Sequence, residues 1–136
     1  MVVVAAVDQT DMAKTVVQEA NELAAAFETP LHVVHARAEA DITQAELEKV
    51  ALDNRLDETR AVATAQTESL IRDLGIIADG VGLVGYPSEQ IAAYASEHDA
   101  RYIVVGSRSR SVADKALFGS VAQSIIEQAG CPVVSV

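Results

Sequence analysis

The chain has 136 residues, of which half are hydrophobic and one is cysteine. This length fits a single domain over residues 1–136, and the hydrophobic fraction is sufficient for a packed core. The lone Cys131 excludes an internal disulfide framework and a cysteine-based zinc site. Because the sequence shows no bilayer-spanning apolar run and no signal-peptide pattern, we expect a cytoplasmic protein.

The charge balance is strongly acidic. Twenty acidic residues against ten basic ones give a formal net charge of −10. Such a surface repels nucleic acids and anionic membranes at long range, so neither is an expected partner. The acid excess, together with the scarcity of lysine, favours an organism with a salt-rich cytoplasm, such as a halophilic archaeon. The alternative is an ordinary acidic protein.

Strand-like and helix-like segments alternate along the chain. Residues 1–7 form a valine-rich run that is typical of a strand buried on both faces, and a helix over residues 12–27 follows. Further strands are predicted at 31–36, 78–84, 102–105 and 132–136, and further helices within 41–74, from 87, and over 120–128. Gly80 and Gly82 are expected to weaken the third strand. The alternation predicts an α/β domain with an open parallel five-stranded sheet and helices on both faces.

Ligands of open parallel sheets bind beyond the carboxyl ends of the strands. In this sequence those ends carry Asp8, His35 with Ala36, the Gly85-Tyr86-Pro87 turn and Gly106. The glycine-rich fingerprint of dinucleotide-binding folds and the phosphate-binding loop with its lysine are both missing. These absences exclude two common nucleotide-binding classes.

The histidines and the potential catalytic side chains do not form a recognisable metal-binding or catalytic pattern in the sequence. His32 and His35 lie three residues apart on a strand and therefore point to opposite faces, so they cannot both bind one metal ion from that strand. For His35 we favour a structural role over ligand contact. The sequence shows no nucleophile–base pair and no metal cluster, so it predicts neither a catalytic nor a metal-binding residue.

The segment over residues 104–122 is the most informative. Two glycines, four serines and two arginines lie within residues 106–120, and small residues allow backbone N–H groups to approach an anion. Ser120 with Gln123 predicts a capping box that opens a helix, and phosphate binds at such helix starts. In the alternative interpretation Gly106 only turns the chain, the serines only cap helices, and Arg108 and Arg110 are solvated.

This segment resembles the signature of the universal stress protein family, G-x2-G-x9-G-[ST]. Gly106, Ser109 and Gly119-Ser120 have the same spacing, with serine in place of the second glycine. The strand at 31–36, the Gly85-Tyr86-Pro87 turn and the Cys131-Pro132-Val133 ending also match. The resemblance covers the whole chain and implies the strand order 3-2-1-4-5 of an adenine nucleotide alpha hydrolase-like fold.

The resemblance also implies a function. It indicates a stress-response protein that binds ATP, with or without Mg²⁺, or a related adenine nucleotide between strands 1 and 4, and that hydrolyses ATP slowly at most. It further implies a homodimer through the C-terminal strand. Carried over residue by residue, the implied nucleotide site is Ala6, Asp8, Ala36, Val105, Gly106, Ser107, Arg108, Ser109, Arg110, Ser111, Gly119, Ser120, Val121 and Ala122.

The serine at position 109 leaves open whether the protein binds a nucleotide. Family members without the glycine pattern do not bind ATP, and a serine at a left-handed backbone position costs about 1–2 kcal/mol. Against this, Arg108 and Arg110 are suited to charge-assisted contacts with phosphate. Three hypotheses follow: a nucleotide-binding stress protein, a nucleotide-free dimerising module of the same family with no cofactor, and an enzyme built on this scaffold.

Overall fold

The computed structural model describes residues 1–38, 52–106 and 119–136. Within these ranges the strands pair in parallel into one sheet of order β3-β2-β1-β4-β5, which confirms the expected topology. The helix expected within 41–74 is described from Leu52 onward. The elements are β1 (Val2–Ala6), α1 (Met12–Ala26), β2 (Leu31–Arg37), α2 (Leu52–Leu74), β3 (Asp79–Val84), α3 (Pro87–Glu97), β4 (Ala100–Val105), α4 (Ser120–Gln128) and β5 (Val133–Ser135).

The central strand β1 is buried on both faces because its side chains alternate between two apolar cores. Val3 and Ala5 pack with α1 and with Ile71 of α2. Val2 and Val4 pack with α3 and α4 on the opposite face. Burial on both faces therefore explains the continuous valine run at the start of the chain, as the sequence predicted.

Glycines in β3 allow α2 to lie directly against the sheet. A Cβ atom at Gly82 would overlap the carbonyl oxygen of Arg60 and the backbone nitrogen of Thr64. The Gly82 N–H also donates a hydrogen bond to Thr64 Oγ1 at 3.0 Å. A Cβ atom at Gly80 would lie 2.6 Å from Thr67 Oγ1. The expectation that these glycines only weaken the strand is incomplete, because the helix packing requires them.

The last strand, β5, lies at the edge of the sheet and pairs with β4. Val133 and Val134 are only half-buried there. Burial raises the pKa of the neighbouring Cys131 thiol, which favours its protonated and unreactive form. In the described part of the chain, no helix has the length and apolar character needed to cross a membrane.

We predict that Gly82→Ala destabilises the protein by about 1–3 kcal/mol, because the added methyl group must push α2 away from β3. Urea unfolding followed by circular dichroism measures this loss. Gly130→Ala is the matched control: a Cβ atom there meets nothing within 4 Å, so its effect should stay within about 0.5 kcal/mol. Equal stability of the two variants would contradict the packing argument.

Candidate functional site

A cavity of about 330 Å³, here called the main cavity, opens beyond the carboxyl ends of β1, β2 and β4. It lies where the order of the strands reverses, since β1 pairs with β2 on one side and with β4 on the other. Open α/β sheets bind ligands at such reversals. Seven residues of the expected nucleotide site line this cavity: Ala6, Asp8, Ala36, Val105, Gly106, Val121 and Ala122.

The other expected site residues divide into two groups. Gly119 and Ser120 are exposed at the start of α4, immediately before the lining residue Val121. Ser107, Arg108, Ser109, Arg110 and Ser111 lie outside the described residues. The glycine-loop part of the expected site therefore stays a prediction from the sequence.

The start of α4 differs from the expected capping box, and that prediction is wrong. Gly119, with φ −64° and ψ 157°, is the N-cap residue, and Ser120 is already the first residue of the helix. The Gln123 N–H donates to the Gly119 carbonyl oxygen at 3.0 Å, which closes the first helical turn. The N–H groups of Ser120, Val121 and Ala122 precede that bond, and glycine has no side chain to cap them. In the described part of the chain no side chain caps these groups, and the helix start places a partial positive charge beside the main cavity.

Asp8 is an exposed carboxylate held by a local turn at the end of β1. Its Oδ1 accepts a hydrogen bond from the Thr10 backbone N–H at 2.8 Å and another from the Thr10 hydroxyl. Both bonds end on Oδ1, and among the described residues no hydrogen bond to Oδ2 is found. A carboxylate so placed suits a hydroxyl or amino group and repels phosphate.

His35 makes a structural hydrogen bond and also lies at the strand-end position that the sequence predicted. Its Nδ1 lies 3.0 Å from the Val7 carbonyl oxygen. Because a carbonyl only accepts, Nδ1 must carry the hydrogen. The ring also lines the main cavity. Hydrogen bonding to β1 thus fixes the ring at the cavity wall.

The apolar wall of the main cavity was missed from the sequence. Met12 and Val16 of α1, Ile91 of α3 and Ile125 of α4 form part of it. Each belongs to the first two turns of a helix that begins above the carboxyl ends of the strands. That placement, combined with helical periodicity, is the signal that identifies such residues.

A second cavity of about 220 Å³ adjoins the main one and shares Val7, Asp8, Thr10, Ala13 and His35 with it. Its remaining lining includes Gln9 and a row of side chains from α2: Gln66, Thr67, Ser69, Leu70 and Asp73. The second cavity therefore lies between the loop after β1 and α2. It extends the site toward the α1–α2 face of the sheet.

A separate polar cluster around His32 lies near the amino-terminal ends of β2 and β3, away from the cavities. Its Nδ1 lies 2.6 Å from the Tyr94 hydroxyl oxygen, and its Nε2 lies 3.4 Å from Asp79 Oδ2. Burial lowers the pKa of His32, although the Asp79 carboxylate opposes that effect. His32 therefore faces α3 while His35 faces the cavities, as their spacing predicted. Within the described ranges, no group of three or more His, Cys, Asp or Glu residues is arranged to hold a metal ion.

Comparison with known proteins identifies the family. The sequence model of the universal stress protein family matches residues 1–136. The chain belongs to this family. It is 26% identical to the universal stress protein YxiE of Bacillus subtilis (strain 168), with 96% of this chain and 95% of that protein covered.

Solved structures of family members have the same architecture. A universal stress protein from Archaeoglobus fulgidus is 33% identical, with a TM-score of 0.69 over 98% of this chain and 96% of that one. The structure of the universal stress protein from the same organism in complex with dAMP is 31% identical, with a TM-score of 0.64 over 98% of this chain and 94% of that one. The sequence resemblance is therefore confirmed at the level of family and fold.

Proposed function

We propose that this protein is a cytoplasmic stress-response protein that binds ATP or a related adenine nucleotide in the main cavity. One observation carries the proposal. The cavity at the strand reversal has an exposed carboxylate at the end of β1 and residues of the first turn of α4 in its walls. The family member in complex with dAMP supports an adenine nucleotide as the ligand.

The polarity of the cavity sets the orientation of the nucleotide. Phosphates belong at the N–H groups of Ser120, Val121 and Ala122, because helix N-termini favour anions. Asp8 repels phosphate and accepts hydrogen bonds, so the nucleoside belongs on its side. Gly106 lies between these two walls at the end of β4. Any Mg²⁺ would arrive with the phosphates, since no metal-binding residue is assigned.

We predict that Asp8→Ala and Ser120→Ala each weaken ATP binding about ten- to a hundredfold, through loss of one charge-assisted hydrogen bond. Asp8→Ala removes the carboxylate, and Ser120→Ala removes a hydroxyl donor to phosphate while it keeps the backbone N–H. Asp8→Ala should also weaken adenosine, whereas Ser120→Ala should leave adenosine unchanged because it acts on phosphate. Titration calorimetry in high KCl with magnesium measures both ligands. Asp57→Ala, on the exposed face of α2, is the control and should bind like the wild type.

Ser109→Gly belongs in the same titration, because it restores the family residue. If serine strains or obstructs the phosphate loop, the glycine variant should bind ATP several-fold more tightly. Absence of binding heat in both the wild type and Ser109→Gly would contradict nucleotide binding. It would favour the nucleotide-free dimerising module instead.

We also propose a homodimer through β5, whichever of the two functions holds. The observation that favours it is a half-buried apolar strand at the sheet edge, since such edges invite pairing with another chain. The Val136 N–H donates to the Val105 carbonyl oxygen at 2.9 Å, toward β4. Because backbone groups alternate along a strand, the Ser135 N–H points away from β4 and toward a partner.

We predict that Ser135→Pro converts the dimer to a monomer, because it removes a donor from the outer edge and leaves the bonds to β4 intact. Ser135→Ala keeps the N–H group and should remain dimeric. Sedimentation or light scattering of the two variants decides the question. A monomeric wild type would contradict the proposed interface.

A further inference from the structure

His32 connects three elements of the fold. It lies opposite Asp79 in the pairing of β2 with β3, and Asp79 is the first residue of β3. The His32 Nδ1 lies 2.6 Å from the hydroxyl oxygen of Tyr94, a buried residue of α3. The His32 Nε2 lies 3.4 Å from Asp79 Oδ2, and only 14% of the His32 side chain is exposed. One imidazole ring therefore connects the last turn of α3 with the edge of the sheet.

The partners of the His32 ring determine where its hydrogen lies. A carboxylate oxygen only accepts, so the contact with Asp79 places the hydrogen of the neutral ring on Nε2. Nδ1 is then the acceptor, and the Tyr94 hydroxyl donates to it. Burial raises the pKa of Tyr94, so this hydroxyl keeps its hydrogen. The hydrogen bond between β2 and α3 in this direction therefore requires the neutral form of His32.

Protonation of His32 reverses this bond. The added proton occupies Nδ1, so the nitrogen changes from an acceptor to a donor. The Tyr94 hydroxyl must then turn to accept, and its own hydrogen loses the acceptor that the neutral ring provided. Leaving a buried donor without its acceptor costs free energy, so acid weakens the contact.

The surroundings of the ring also disfavour its charged form. Burial is the main cause that lowers the pKa of His32, and the Asp79 carboxylate opposes it. His98, the C-cap residue of α3, and the amino group of Met1 lower this pKa further. The His98 ring stacks on Tyr94 at a centroid distance of 3.9 Å and lies 5.7 Å from the His32 ring. In the described part of the chain these are the charged and titratable groups that act on His32, and α2 packs on the opposite face of β2.

We propose that His32 is a pH-sensitive contact of the fold: the neutral ring holds the last turn of α3 on β2, and protonation of the ring weakens that hold. Because the pKa of His32 in the folded protein lies below its ordinary value of 6.5, the contact stabilises fully above pH 6.5 and is lost as the pH falls through the lower folded value. The first half of α3 brings Pro87 and Ile91 to the main cavity. Acid therefore acts on a helix that forms part of the cavity wall. Nucleotide binding is not required for this behaviour.

An NMR titration of the histidine rings in the full chain, without nucleotide, tests the direction of the bond. The wild-type His32 ring should titrate below pH 6.5. Tyr94→Phe keeps the aromatic ring and removes the donor to Nδ1, so the His32 midpoint should rise in this variant. A lower midpoint in Tyr94→Phe, or a wild-type midpoint above pH 6.5, would contradict a contact that depends on the neutral ring.

Two charge variants should move the same midpoint in opposite directions. Asp79→Asn removes the carboxylate that favours the charged ring and should lower the His32 midpoint, whereas His98→Gln removes a neighbouring cation and should raise it. Asp57→Asn on α2 is the matched control, because the Asp57 side chain is 74% exposed against 76% for Asp79. It should leave the His32 midpoint unchanged. Identical midpoints in Asp79→Asn and Asp57→Asn would overturn the arrangement of charges around His32.

Urea unfolding tests whether the contact contributes to stability. Wild type should unfold at a higher urea concentration than Tyr94→Phe at neutral pH, and this advantage should shrink in mild acid as His32 becomes protonated. Comparison of the two proteins at each pH cancels the contributions of the other titrating groups. An advantage that stays constant from neutral to acidic pH would mean that Tyr94 stabilises the fold independently of His32, and it would overturn the proposal.

Discussion

The parallel pairing of β1 with β2 on one side and β4 on the other determines where a ligand can bind in this molecule. Connections that leave the two sides of β1 cross opposite faces of the sheet, so they diverge above its carboxyl end. The main cavity occupies the space between them. Asp8 and Gly106 lie around that space because they follow the carboxyl ends of β1 and β4, and the first turn of α4 also lines it. The strand order therefore places these groups near one another without direct contacts among them.

Under the proposed function, the site binds an anion in a protein whose net charge repels anions. A net charge of −10 disfavours nucleotides at long range. The N-terminus of α4 offers a local attraction that the net charge does not abolish, because helix N-terminal effects act within the first turn. The opposite side, around Asp8, accepts hydrogen bonds. A molecule with a phosphate at one end and hydroxyl groups farther along matches this separation of a positive helix end from a carboxylate.

Much of this arrangement could be predicted from the sequence, and the exceptions have physical causes. The burial of β1 and the strand-end position of Asp8 were predictable. The continuous apolar pattern indicates a buried strand, and Asp8 comes directly after that pattern. The α4 cap was not, since a Gly-Ser pair allows the helix to begin at either residue, and the extended backbone of Gly119 decides between them. The second cavity was also not predictable. It depends on the close approach of α2 to β3, which Gly82 permits from a distant point in the chain.

The most direct test of this account is an amide NMR titration of the ¹⁵N-labelled wild-type protein with AMP. The account predicts that the largest shift changes fall on the amides of Ser120, Val121 and Ala122 and on the residues around Asp8 and Gly106. The amides around His32, at the amino-terminal end of β2, should stay unchanged. Shift changes confined to the amides around His32, or no changes at saturating AMP, would contradict a nucleotide site at the strand reversal.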